Sequence, residues 1–350
     1  MNGLKSFFGS EVEKLPRAMK DDGAKRGLLS KSSQNGQNDK PSLRHTLSLT
    51  FLFVVVNMIL RVKNASYLRK SRLHVFFLWL QSLMILVFLW ISRKRRRWSF
   101  IYQTRHLKAL PVLCCYVIHI SINEYYSNGY KNTSGGPEVL QLGLASSPLM
   151  MILSYIWFHE KAHASLVTVF VTLVSLILVV LYCSENDPYI PFQFTFSHGI
   201  FGLIHGLSLA IFVLTSKNYL TVQEMSVSQL IHSINIGCVL FLPFVILFNG
   251  EIDLLIANGL SSHGGFYNVF LTALILALLR IFDQIASFYH IKNVSSLLHI
   301  PARNFAWVPA TLAITFSLKM ELLVSTFLGF WMVSVIFIAV LVENITEINS

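Results

Sequence analysis

Apolar and polar residues follow one another along this chain in blocks and not in single-residue alternation. From about residue 45 onward, runs of about twenty mostly apolar residues are separated by short polar or charged links. A helix needs roughly 17–25 such residues to cross a bilayer. The blocks predict ten spanning helices, at about 45–61, 74–92, 107–125, 137–158, 164–183, 197–216, 227–248, 266–288, 295–317 and 322–342. Ahead of the first block, "KSSQNGQNDKPS" is polar and holds Pro and Gly, so residues 1–44 read as a disordered tail.

The blocks also repeat. Pro148 stands twelve residues before Glu160, and Pro309 twelve before Glu321. Each glutamate precedes an apolar run ending in Glu-Asn, at Glu185–Asn186 and at Glu343–Asn344. The fourth and fifth spans thus echo the ninth and tenth. A repeat of five spans, being odd in number, must sit upside down relative to the first. That is the inverted-repeat design of secondary transporters, with the binding site near the midplane. The predicted fold is therefore all-α, with a first five-helix repeat over 45–186 and a second over 187–345.

Composition agrees with a polytopic membrane protein. The 350 residues are 54% hydrophobic and only 13% charged, against about 25% charged in an average soluble domain. The net charge of +11 does not point to nucleic acid, because the basic residues sit in the tail and the links. The tail holds nine basic and five acidic residues, a net of +4, and Arg93, Lys94, Arg95, Arg96 and Arg97 form the densest cluster. Together they predict cytosolic termini and contact with acidic membrane lipid. "SENDPY" and "GEIDLL" fall on the opposite side as acidic loops. "RVKNASYLRKSR" falls there too, and its Arg61, Lys63, Arg69, Lys70 and Arg72 are against the rule. The sequons at Asn64 and Asn132 would face the glycosylation compartment. The opening residues lack the apolar core of a cleavable signal peptide. Cys114, Cys115, Cys183 and Cys238 have no metal-ligand spacing and read as small packing residues.

Polar side chains inside the blocks are the candidate chemistry, since such residues face the protein interior. Arg280, Asp283, Gln284 and Ser287 share one face of the eighth span. Arg280 and Asp283 could neutralise each other, or Asp283 could hold the Arg280 fork for an anion. Arg303 follows Pro301 early in the ninth span, where free N–H groups and the helix dipole also favour an anion. Its alternative is a cation snorkelling to the nearer interface. Gln81 lies mid-span, Glu124, Tyr125 and Tyr126 at the end of the third span, and Glu138 and Gln141 at the start of the fourth. His119, His205 and His232 read first as helix–helix hydrogen-bonders and second as proton relays. No nucleophile elbow, P-loop, metal-binding helix pair or glycine-rich loop is present, so the chain is not read as an enzyme and calls for no cofactor.

These residues bring a family into view. "LASSPLMMILSYIWFHEKAHASLVTVFVTLVSLILVVL" resembles the fourth-to-fifth helix hairpin of the nucleotide-sugar transporters, a branch of the drug/metabolite transporter superfamily. "FFLWLQSLMILVFLW" is similar to the second helix of the GDP-mannose and related transporters. "PARNFAWVPATLAI" resembles a degraded form of the Gly-Ala-Leu-Asn-Lys motif, matched at Ala302 and Asn304 but with Phe305 in place of the lysine. The Phe-Tyr-Asn-Asn motif of the seventh helix and the Lys-Asn pair of the fourth have no counterpart. The resemblance covers about residues 45–345. It implies exchange of a cytosolic nucleotide sugar for a nucleoside monophosphate across the Golgi or ER membrane, with a homodimer left open. Arg303, Asn304, Arg280, Asp283, Gln284, Gln81, Tyr125 and Gln141 are the expected substrate-binding residues. A transporter of another organic anion, or a non-transporting scaffold, are the alternatives.

Overall fold

The computed structural model describes residues 42–68, 73–92, 110–127, 146–158, 170, 174, 196–223, 225–258, 265–318 and 324–349. The chain divides into a unit Met1–Lys40 and a unit Pro41–Ser350, and every described residue belongs to the second. The described residues form helices and turns, with no strand among them. The helices are α1 (Leu43–Leu68), α2 (His74–Ser92), α3 (Leu110–Ser127), α4 (Ser146–Phe158), α5 (Phe196–Thr221) and α6 (Val227–Phe248). They continue with α7 (Glu251–Asn258), α8 (Gly265–Asn293), α9 (Ser296–Phe305), α10 (Trp307–Leu318) and α11 (Val324–Asn349). Six of the described helices, α1, α2, α5, α6, α8 and α11, are long and apolar enough to cross a membrane. Phe51, Trp90, Phe248, Phe282 and Trp331 project from five different helices with more than half their surface exposed. Large exposed aromatics on that many helices fit a lipid-facing surface, because in water such patches would drive aggregation. This is a multi-pass membrane protein.

The ten-block reading changes in several places. The first helix does not stop at residue 61 but runs to Leu68, because nothing in "RVKNASYL" breaks a helix. Arg61 and Lys63 are thus helical and not loop residues. "GEIDLL" is not an acidic loop either. Gly250 takes a φ of +76°, which only glycine adopts without strain, and the turn starts α7 directly at Glu251. The ninth span runs through α9 and α10 with only Ala306 between them, and Ala306 keeps helical dihedrals and donates to the Ala302 carbonyl, so the helical path continues. Pro301 lies inside α9, and Pro309 near the start of α10, where its missing N–H is tolerated. The last helix passes Glu343–Asn344 and continues to Asn349. The fifth predicted span lies outside the described residues apart from Phe170 and Val174, as do Glu160, Glu185 and Glu321.

Local signals explain the firm ends. Ser226 caps α6 by accepting from Gln229 N, and the Gln229 side chain accepts from Ser226 N, a complete capping box. Ser295 caps α9 by accepting from Leu297 N. In the packed arrangement α6 lies on α2 and α3, α8 on α1 and α2, and α5 on α3 and α4. The short α9 is central, touching α1, α4, α5, α8 and α11. One large apolar cluster, with Leu78, Ile85, Phe212, Leu230, Ile234 and Phe288 at its centre, joins α2, α3, α5, α6 and α8. A smaller one seats α9 on α11 through Leu298, Met332, Val333 and Ile336.

Gly237 marks the closest approach of α6 to α3. A Cβ there would lie 3.1 Å from Leu113 Cβ and 3.2 Å from both its Cδ atoms. Leu113 Cβ is fixed to its backbone, so the helices themselves would have to part. Gly→Ala gains about 1 kcal/mol of helix propensity, whereas forced overpacking costs about 1–3 kcal/mol. Gly237→Ala is therefore expected to lower the melting temperature in detergent, and an unchanged or raised value would show that α3 yields freely.

Candidate functional site

A buried cavity of about 40 Å³ lies where α1, α3, α5, α8 and α9 meet. From α1 come Asn57, Leu60, Arg61 and Asn64; from α3, Tyr116 and Ile120; from α5, Phe212. From α8 come Arg280, Asp283, Gln284, Ser287 and Phe288, and from α9 Arg303. The polar stripe expected on the eighth span therefore faces this cavity. Its residues recur at spacings of three and four, the helical repeat that aligns them on one side.

Among the described residues, three arginines and one aspartate line the walls. Each arginine reaches the cavity from a different helix, and two have their forks held by amides. Arg61 Nε donates to Asn57 Oδ1 at 2.7 Å, and Asn57 Nδ2 donates to Asp283 Oδ1 at 2.9 Å. Arg280 Nε donates to Gln81 Oε1 at 2.7 Å. A guanidinium whose Nε is engaged keeps its plane fixed, which favours two-point contact with phosphate or carboxylate. Gln284 is engaged on both sides, accepting from Asn235 Nδ2 at 3.0 Å and donating to the Tyr116 hydroxyl at 3.4 Å. Tyr116, Phe212 and Phe288 supply aromatic surface, with the Tyr116 and Phe212 rings 5.1 Å apart.

Four of the eight expected substrate-binding residues share this cavity: Arg303, Arg280, Asp283 and Gln284. Arg303 is 8% exposed and points into the cavity wall, so it is not a snorkelling anchor. Gln81 is fully buried but lies behind Arg280, off the wall, where it positions that arginine. Asn304 is half-buried and also off the wall, because one residue of helix turns the side chain by about 100°. Phe305, at the family's lysine position, turns a further step and stacks on Phe337 of α11 at 4.6 Å. Arg303 and Phe305 thus serve different faces of α9. Tyr125 belongs to the last turn of α3, but its side chain, like those of Glu124 and Tyr126, lies outside the described residues. Gln141 and Glu138 lie outside them too.

Sequence reading missed Arg61, Asn57, Asn64 and Tyr116. Arg61 and Asn64 were assigned to a loop, although Asn57, Arg61 and Asn64 recur at spacings of four and three, which marks one helix face. Asn64 is half-buried on this wall and belongs to α1, not to a loop. The Asn132 sequon lies outside the described residues. His119 and His205 do join two helices, with their Nδ1 atoms 3.2 Å apart, while His232 is half-buried on α6. Cys238 is buried as expected, Cys115 is half-buried, and Cys114 is exposed on the outer side of α3; all three are free thiols. Cys183 lies outside the described residues. No group of three or more metal-ligating side chains occurs among the described residues.

No protein-family model matches the chain and no curated protein sequence is significantly similar to it, so the arginine-lined cavity itself carries the functional evidence.

Proposed function

We propose that the protein transports an anionic, phosphate-bearing metabolite, and that this cargo is a nucleotide sugar exchanged for a nucleoside monophosphate across the Golgi or ER membrane. The observation that supports it is the convergence of Arg61, Arg280 and Arg303 on one cavity, beside Asp283. Charges at membrane depth are costly, and those retained mark substrate paths or structural pairs. Three guanidiniums brought in from three helices offer several N–H donors to the oxygens of a diphosphate. Tyr116, Phe212 and Phe288 offer faces for a base, and Ser287 a hydrogen-bonding group for sugar hydroxyls. The choice of nucleotide sugar, the antiport and the compartment rest on the family resemblance, and the ten-helix inverted repeat on the block count and the Pro–Glu spacing.

A cavity of about 40 Å³ holds roughly three waters at about 10–15 Å³ each. Sites for drug-sized ligands occupy about 300–1,000 Å³. In this reading the helices must part to admit cargo. The same narrowness favours a second reading, in which the cargo is a smaller organic anion.

Purified protein in liposomes decides between them. Vesicles preloaded with UMP, GMP or CMP should accumulate one labelled nucleotide sugar of the matching base and leave the others outside. Accumulation of small organic anions alone would establish the second reading. Liposomes that take up no anion at all would sink both.

A further inference from the structure

A hydrogen-bonded chain leaves the cavity through Ser287 and passes two histidines to reach α1. Ser287 Oγ, on the cavity wall, lies 3.2 Å from His299 Nε2. His299 Nδ1 lies 3.4 Å from His290 Nδ1, and His290 Nε2 lies 3.0 Å from Thr50 Oγ1. Thr50 Oγ1 in turn donates to the Thr46 carbonyl at 2.8 Å. Both rings are 0% exposed, and Phe53 stacks on His299 with centroids 4.5 Å apart.

One orientation runs through every link. In it the Thr50 hydroxyl gives its one hydrogen to the Thr46 carbonyl, so toward His290 its oxygen accepts and His290 Nε2 carries a hydrogen. A neutral imidazole has only one N–H. His290 Nδ1 therefore accepts, His299 Nδ1 donates to it, and His299 Nε2 accepts from Ser287. The Ser287 hydroxyl hydrogen is consequently turned away from the cavity.

We propose that His299 and His290 form a proton-binding site that loads together with the anion in the arginine-lined cavity. Hydronium that reaches the cavity from bulk solvent gives a proton to Ser287 Oγ and leaves as water, while the serine's own hydrogen passes to His299 Nε2 and forms the new N–H bond, so one proton is bound in all. His299 Nε2 now donates to Ser287 Oγ. The serine's replacement hydrogen lies toward the cavity and is donated to an anion oxygen. The imidazolium also sits four residues from Arg303, one turn away on the same helix. The two cations repel each other until an anion lies near them, so proton and anion favour each other's binding by the same factor.

The charged and titratable groups on the elements around the pair are mostly cationic. α1 brings Arg61, with Arg44, His45 and Lys63 exposed. α5 brings His205, Tyr219 and Lys217, the last donating to Ser296 Oγ at the start of α9. α8 brings Arg280, Asp283, Tyr289 and exposed Lys292, and α9 brings Arg303. The described parts of α4 and α10 bring no charge, and α11 brings Glu343 and Glu347 past Val340. Among the described residues of the cavity wall the carboxylate is Asp283, which Asn57 holds.

This inference rests on the anion-transport reading, and its test separates the two. The full-length protein is placed in nanodiscs with ¹⁵N-labelled histidine and arginine, signals being assigned from His290→Gln, His299→Gln and Arg303→Lys spectra. Sulfate is the probe, because it stays doubly charged between about pH 6 and 8. Without sulfate at about pH 8, His290 should carry its hydrogen on Nε2 and His299 on Nδ1; the reverse tautomers would overturn the oriented chain. With sulfate at about pH 6, the Arg303 guanidinium signal should shift and one of the two rings should become an imidazolium. Sulfate affinity should rise by about tenfold per unit of acidification, as uptake of one proton per anion requires, and Ser287→Ala should flatten that slope. An Arg303 shift with both rings still neutral, or equal slopes in wild type and Ser287→Ala, overturns the proton site and leaves the anion cavity standing. No Arg303 response to sulfate removes the anion reading and this inference with it.

Discussion

Replacing Arg303 with alanine is expected to weaken substrate affinity ten- to a hundredfold, while the protein still folds and reaches its membrane. A hydrogen bond to a charged group contributes about 1.5–3 kcal/mol, and each 1.4 kcal/mol is about a factor of ten in affinity. Arg303 is the cation that α9 presents to the cavity, and α9 is the element packed against five others. Its neighbours on that helix do not duplicate it, since Asn304 and Phe305 are turned off the wall. Arg303→Lys should recover part of the loss, because a lysine keeps the charge but forfeits the two-point fork. Binding is read by counterflow in liposomes, with surface delivery as the control for folding. Normal transport by Arg303→Ala would move the anion contact to Arg280 and Arg61.

The largest stability effect is expected at Glu251, far from this chemistry. Its two carboxylate oxygens accept from Val75 N at 3.0 Å and Phe76 N at 2.8 Å, the first free N–H groups of α2. Asn249 Nδ2 also donates to it, at 3.1 Å, and Glu251 N donates back to Asn249 Oδ1. One helix thus caps another, with the carboxylate at the positive end of the α2 dipole. Glu251 is 5% exposed and Val75 is fully buried, so water does not readily replace the lost bonds. Each buried donor left unsatisfied costs about 1–3 kcal/mol, and Glu251→Ala orphans two. A large fall in melting temperature in detergent is the expected outcome. Glu251→Gln keeps one accepting oxygen and should restore about half of the loss. A melting temperature within a degree of wild type for Glu251→Ala would show that this cap is not needed.

Much of the architecture was legible in the order of residues. Long apolar blocks cannot dissolve in water, and in lipid a single chain segment satisfies its own backbone only as a helix. The helical class and membrane setting therefore follow from block length alone. The stripe Arg280, Asp283, Gln284 and Ser287 was legible for a related reason. Polar groups at helical spacing inside an apolar block must face each other or a cavity.

Other features needed the folded chain. Glu251 looks like a loop acid in "GEIDLL", and nothing nearby in sequence says that it caps a helix begun 177 residues earlier at His74. Arg61 looks like a loop cation because hydropathy falls there, yet helix geometry carries it to the cavity wall. Gln81 and Asn304 both looked like ligand contacts, and rotation about their helices put one behind Arg280 and the other off the wall. Local periodicity determines which residues share a face. Which faces meet is settled by packing between segments distant along the chain, and so the pairing of Ser287 with His299, and of His290 with Thr50, was decided only by the tertiary structure.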